Sequence, residues 1–118
     1  MYNKGESGEM DLTRLKLGKI TSVLRAELSR WLGDRLAGVY LYGSQARGDA
    51  KPDSDIDILV VIRGDFDYFN LIEDTGQIAA DISLENETVI ALAFVSDEDY
   101  KNRHSPFLMN ARREAISL

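Results

Sequence analysis

Apolar positions along this chain fall into helical stripes and short β-branched runs, and the two kinds alternate. Between Asp11 and Asp34, Leu17, Ile20, Leu24, Leu28 and Trp31 recur at steps of three or four. That spacing predicts a helix with Asp11 as its cap and one buried face, with Trp31 in the core. Gly38 closes the connection to Val39-Tyr40-Leu41-Tyr42, which reads as a strand. The run Ile56-Asp57-Ile58-Leu59-Val60-Val61-Ile62 is almost continuously apolar, the pattern of a central strand covered on both faces. A second stripe (Phe69, Ile72, Gly76, Ala79 and Ile82) predicts a helix over residues 68–82, and residues 88–95 read as a further strand. Ser96 is the expected cap of a short helix whose opening acids, Asp97, Glu98 and Asp99, suit its N-terminal dipole. Ser105-Pro106 starts a last helix through about Arg113. Residues 1–10 are polar and glycine-containing and are expected to be disordered, leaving residues 11–118 as a single domain.

The polar positions that interrupt this pattern carry the chemistry. Side chains alternate along a strand, so Asp55 and Asp57 point the same way, with Cα atoms roughly 6.5 Å apart. Two ionised carboxylates beside an apolar strand repel each other and lose hydration, an arrangement that needs a proton, hydrogen bonds or a cation in compensation. Magnesium suits such a pair, because it takes oxygen ligands and commonly binds through one or two carboxylates plus substrate phosphates. Ten residues upstream, Gly43-Ser44 follows the first predicted strand. Gly43 lets a backbone N–H approach a phosphate closely, and Ser44 adds a hydroxyl donor. Residues 45–48 are expected to form a short helical turn, and Gly48 and Pro52 bring the chain back toward the second strand. Tyr40 and Tyr42 share the strand face opposite Leu41, where packing under a helix is the expected role rather than stacking on a base.

Residues 43–57 resemble the signature of the nucleotidyltransferase superfamily related to DNA polymerase beta, and within it the minimal nucleotidyltransferases: Gly-Ser, about ten residues, then Asp-x-Asp. Arg47-Gly48 and the segment Asp53-Ser54-Asp55-Ile56-Asp57-Ile58 fit the same subgroup. The resemblance implies an α/β nucleotidyltransferase fold, a mixed sheet of three to four strands covered by helices. It also implies transfer of a nucleotidyl group from a triphosphate, ATP by family preference, with two magnesium ions, or one at the least. Carried over residue by residue, Gly43 and Ser44 hold the β- and γ-phosphates, Asp55 and Asp57 hold metal, and Arg47 and Lys51 are candidate phosphate contacts. Many minimal members are antitoxin partners of HEPN-type ribonucleases, and some transfer AMP onto the toxin. The corresponding expectation here is AMP transfer to a partner protein's hydroxyl. The alternative is a catalytically weak, nucleotide-binding antitoxin that neutralises its toxin by contact.

The sequence departs from the family's pattern in one respect. Complete members carry a third carboxylate on a later strand, and Thr88-Val89-Ile90-Ala91-Leu92-Ala93-Phe94-Val95 contains no acid. Asp81 is expected to face solvent, and of Glu85 and Glu87, where the helix gives way to the strand, Glu87 lies nearer the strand and is the candidate substitute.

Charge and composition narrow the partners. The 14 basic and 20 acidic residues give a net charge of −6, which argues against broad binding to a nucleic acid backbone. An acidic surface facing a basic ribonuclease fits the same number, and self-association stays open. The absence of cysteine removes any thiolate chemistry, and the lone His104 rules out a multi-histidine centre. No apolar run approaches the roughly 20 residues that cross a bilayer, and the expectation is a soluble, cytoplasmic protein.

Overall fold

The structure, a computed structural model, describes residues 4–51 and 53–118, with side chains from Arg14 onward. In chain order it contains α1 (Lys4–Leu32), a 3₁₀ turn (Gly33–Arg35), β1 (Leu36–Tyr42), α2 (Gly43–Arg47), β2 (Ile56–Ile62), α3 (Tyr68–Glu85), β3 (Ile90–Ser96), α4 (Asp97–Asn102), α5 (Pro106–Glu114) and β4 (Ile116–Ser117). The strands form one mixed sheet in the order β3-β2-β1-β4. β1 is antiparallel to both β2 and β4, whereas β2 and β3 run parallel through the α3 crossover. This is the mixed α/β sheet expected, with β2 in its interior.

Burial of both faces explains why β2 is so apolar. Ile56, Ile58, Val60 and Ile62 pack with Ile20, Leu24 and Leu28 of α1 and with Leu71, Ala79 and Ile82 of α3. The alternate positions Leu59 and Val61 join Leu108 and Ala111 of α5 in a second cluster, flanked by Tyr40, Tyr42 and Tyr100. By strand alternation, Asp57 belongs to this second face. The tyrosines pack under helices as expected: Tyr40 stacks on Tyr100 with ring centroids 5.0 Å apart, and Tyr42 meets Phe107 edge-on at 5.6 Å.

Caps hold the two C-terminal helices in place. The Ser96 hydroxyl accepts from the Asp99 amide at 3.1 Å, and the Ser105 hydroxyl accepts from the Leu108 amide at 3.2 Å. Arg112 donates to the Tyr100 and Arg103 carbonyls, tying α5 to α4.

Several expectations are corrected. α1 is described from Lys4, where Asp11 was the expected cap; residues 1–3 lie outside the described residues. Once a helix is nucleated, each added backbone hydrogen bond fixes only one residue, so extension is cheap. Trp31 is 58% exposed, and Leu32 takes the inward place, continuing the step of four from Ile20 through Leu24 and Leu28. In α3 the buried positions are Leu71, Thr75, Ala79 and Ile82, while Phe69 is 82% exposed and Ile72 and Gly76 also face outward. Thr75 conceals that stripe in the sequence. Its hydroxyl donates to the Leu71 carbonyl at 2.6 Å, so a polar residue sits at the centre of an apolar face without an unmet hydrogen bond. β4 had no counterpart in the sequence reading, being only two residues long.

Candidate active site

β1 ends and β2 begins side by side, with Tyr42 paired to Asp57 across the antiparallel ladder. The chain leaves β1 at Gly43, which is buried and has φ +74°. A Cβ built at Gly43 would stand 2.4 Å from Oδ2 of Asp57. Two demands therefore coincide at one position: a left-handed backbone and contact with a carboxylate too close for any side chain. Gly43 and Asp57, fourteen positions apart in sequence, are pressed together. α2 starts at Gly43 and not at residue 45 as expected, and Gly48, at φ +84°, ends it. The Ser44 carbonyl accepts from the amides of Gly48 and Asp49 at 3.0 and 3.1 Å, which closes the turn around that residue.

Asp57 is half-buried at the second position of β2, and Asp55 is exposed just before the strand. Burial, above all, holds the Asp57 carboxyl above its ordinary range; the charges of Asp55 and Glu114 add to that, and Arg47 opposes it. The Tyr42 phenol is raised for the same reasons, first by burial and then by Asp57 and Glu114. Negative potential thus accumulates at the junction of β1 and β2, on hard oxygen donors. That donor set fits a divalent cation of the magnesium type.

Arg47, at the end of α2, donates from Nε to Asp49 at 3.1 Å and from Nη1 to Glu114 at the end of α5. Those two acids hold its guanidinium firmly protonated. Lys51 and Glu87 together line a cleft of about 380 Å³ with Lys16, Gln45, Ser54 and Asn86. Glu87 is exposed in the turn after α3, with φ 50°. Among the described residues, no three acids or histidines lie close enough to hold one metal ion, so Glu87 is not gathered with Asp55 and Asp57. The register gives the reason: the β3 residue opposite Asp57 is Ala91, and Glu87 precedes the strand. The acid that α5 does bring toward Asp57 is Glu114, which sequence reading missed. At 67 residues from Arg47, it carries no local signal.

The family model for the nucleotidyltransferase domain matches residues 21–110, a span that contains the Gly43 turn and both aspartates. The chain belongs to this family. Two proteins of Methanocaldococcus jannaschii, each named a putative protein adenylyltransferase, are similar to parts of this nucleotidyltransferase domain. MJ0604 is 47% identical over 49 residues, 42% of this chain and 48% of the relative. MJ0141 is 35% identical over 49 residues, 42% of this chain and 50% of the relative. The chain thus spans about half the length of the curated relatives it matches. Solved structures share the fold at low identity. A putative nucleotidyltransferase from Sulfolobus solfataricus has a TM-score of 0.55 at 20% identity, over 86% of this chain and 84% of that one. A toxin-antitoxin crystal structure with AMP-PNP gives 0.56 at 18% identity, over 80% and 68%. A chain of the complex between tri-AMPylated Shewanella oneidensis HEPN toxin and MNT antitoxin gives 0.50 at 20% identity, over 88% and 69%.

Proposed function

We propose that this nucleotidyltransferase domain moves AMP from ATP, with magnesium, to a hydroxyl of a partner protein, as the antitoxin half of a HEPN/MNT pair. The observation that carries the reading is the close approach of Gly43 to Asp57, which sets a side-chain-free turn directly against a carboxylate. The adenylyltransferase names of the curated relatives, the AMP-PNP toxin-antitoxin neighbour and the HEPN–MNT neighbour support the choice of nucleotide and partner class.

In this reading the Gly43 amide and the Ser44 amide and hydroxyl bind the β- and γ-phosphates, with Arg47 contributing a cationic donor. Lys51, in the loop between α2 and β2, offers a second positive charge. Asp55 and Asp57 hold magnesium, one ion at least and two by family pattern. When bound, the metal neutralises charge that builds on the phosphates. The acceptor hydroxyl oxygen forms a bond to the α-phosphorus as the bond from that phosphorus to the α–β bridging oxygen breaks. The electron pair leaves with pyrophosphate, and the hydroxyl proton passes to solvent. Gly43 and Ser44 orient the leaving pyrophosphate in line with the attack.

A second reading rests on the missing third acid. A positioned base is worth about 10²–10⁴-fold in rate, and neither Glu87 nor any other described acid completes a three-carboxylate cluster. Nucleotide binding could then outlast rapid transfer, with the toxin silenced by contact. A HEPN-type ribonuclease incubated with the protein, magnesium and α-labelled ATP separates the two readings. Label on the ribonuclease, lost with Asp55→Ala/Asp57→Ala, is the expected result. Full silencing by that double variant without label would leave contact as the mechanism.

A further inference from the structure

We propose that Glu114 is a positioning residue of the nucleotide site, fixing Arg47 so that its free N–H groups face the triphosphate; this rests on the reading of that site given above. Arg47 has five donors in a planar fork. Asp49 takes Nε and Glu114 takes Nη1, which fixes the plane of the guanidinium at two points, and among the described residues Nη2 has no partner. Arg47 lies one helical turn after Gly43 on α2, and Gly43 itself lies against Asp57, so the arginine sits on the same short helix that opens at the carboxylate. Its side chain is 47% exposed, whereas that of Glu114 is only 16% exposed. The acid is therefore the fixed member of the pair and the arginine the one that can still reach a ligand.

The fold holds Glu114 on both sides. Before it, Leu108 and Ala111 bury α5 against the sheet. After it, Ile116 pairs with Leu41 and the Leu118 amide donates to the Val39 carbonyl at 2.9 Å, anchoring the chain on the strand that leads into Gly43. A carboxylate so placed removes rotamer freedom from a long side chain before the ligand arrives, which lowers the entropy lost on binding. Replacement of the carboxylate by an amide keeps the shape but gives up the charge-assisted bond.

Calorimetric titration of the full chain with magnesium and a non-hydrolysable ATP analogue tests this, together with thermal melts of each variant. Glu114→Gln is expected to weaken binding about tenfold while the melting temperature of the ligand-free protein shifts little. Arg47→Ala should weaken binding at least as much, and Glu114→Gln added to Arg47→Ala should cost nothing more. In transfer assays the loss should appear in KM with kcat nearly kept. Wild-type affinity or tighter binding in Glu114→Gln, or additive losses in the double variant, would overturn the positioning role. If Glu114→Gln does not fold, Arg47→Lys probes the same contact, since lysine keeps the charge without the fork; undiminished affinity there also overturns it. Two failures are distinguishable. Wild-type protein that takes up no triphosphate defeats the nucleotide reading itself, whereas uptake that depends on Asp55 and Asp57 but ignores Glu114 defeats only this inference.

Discussion

Asp57 carries a cost that the ligand-free protein bears at neutral pH. Its carboxyl is raised by burial and by the charges of Asp55 and Glu114, so the folded chain holds the proton more tightly than the unfolded one. Stability from such a group is complete below the ordinary aspartate range near 3.9 and is lost as pH climbs through the raised folded value. Asp57→Asn, which never ionises, is therefore expected to melt a few degrees above wild type at pH 7. The gain should vanish as pH falls below about 4, and magnesium-dependent nucleotide binding should be lost throughout. Equal melting temperatures at pH 7 would show that the site bears no such cost. At this scale the sequence was informative where chemistry and backbone coincide. Gly43, Ser44, Asp55 and Asp57 stood out because a small turn followed ten residues later by paired acids is a rare combination, and the structure brings Gly43 against Asp57. Lys51 and Glu87 carry no pattern that sets them apart from other loop charges, and the two line one cleft in the structure. Glu114 could not have been found, since only tertiary packing of α5 brings it to Arg47.

Element boundaries were legible where the signal is local. Ser96 and Ser105 cap their helices as their hydroxyls and the following acids or proline suggest. Ser105→Ala should cost about 1 kcal/mol in chemical denaturation. Because the helix it starts also carries Glu114, nucleotide affinity should fall modestly with it. An unchanged denaturation midpoint would mean that Pro106 alone fixes the start of the helix. Helix faces were harder to read. In α3 two stripes, one through Phe69, Ile72 and Gly76 and one through Leu71 and Thr75, share Ala79 and Ile82. Hydrophobicity favours the first, but the sheet selects the second, because Thr75 meets its hydrogen-bonding need within its own helix. Trp31 was misplaced for a related reason: periodicity locates a stripe only to within one residue, and Leu32 fills the inward position with less volume.

For the molecule as a whole, ligand and fold stability are linked. If the site binds magnesium and ATP only when folded, 100 times Kd of the nucleotide complex adds about 2.7 kcal/mol to unfolding. The melting temperature should rise by several degrees in wild type and not at all in Asp55→Ala/Asp57→Ala. A rise in both would place the nucleotide elsewhere. The overall architecture was readable because strand and helix patterns alternate and the central strand is so apolar. What the sequence did not reveal was β4, whose two residues carry no pattern of their own and are recruited by the free edge of β1. Among the described residues no helix is long and apolar enough to cross a membrane.

The separation along the chain between Gly43 and Asp57 on one side, and Arg47 and Glu114 on the other, sets an order of assembly. The turn and the aspartates meet as soon as the β1–β2 hairpin closes, a short loop with little entropy to surrender. The arginine acquires its anchor only after a closure 67 residues wide. On a ribosome, where chains emerge from the N-terminal end, a nascent polypeptide would bring its small turn against Asp57 well before the last helix arrives to pair with Arg47.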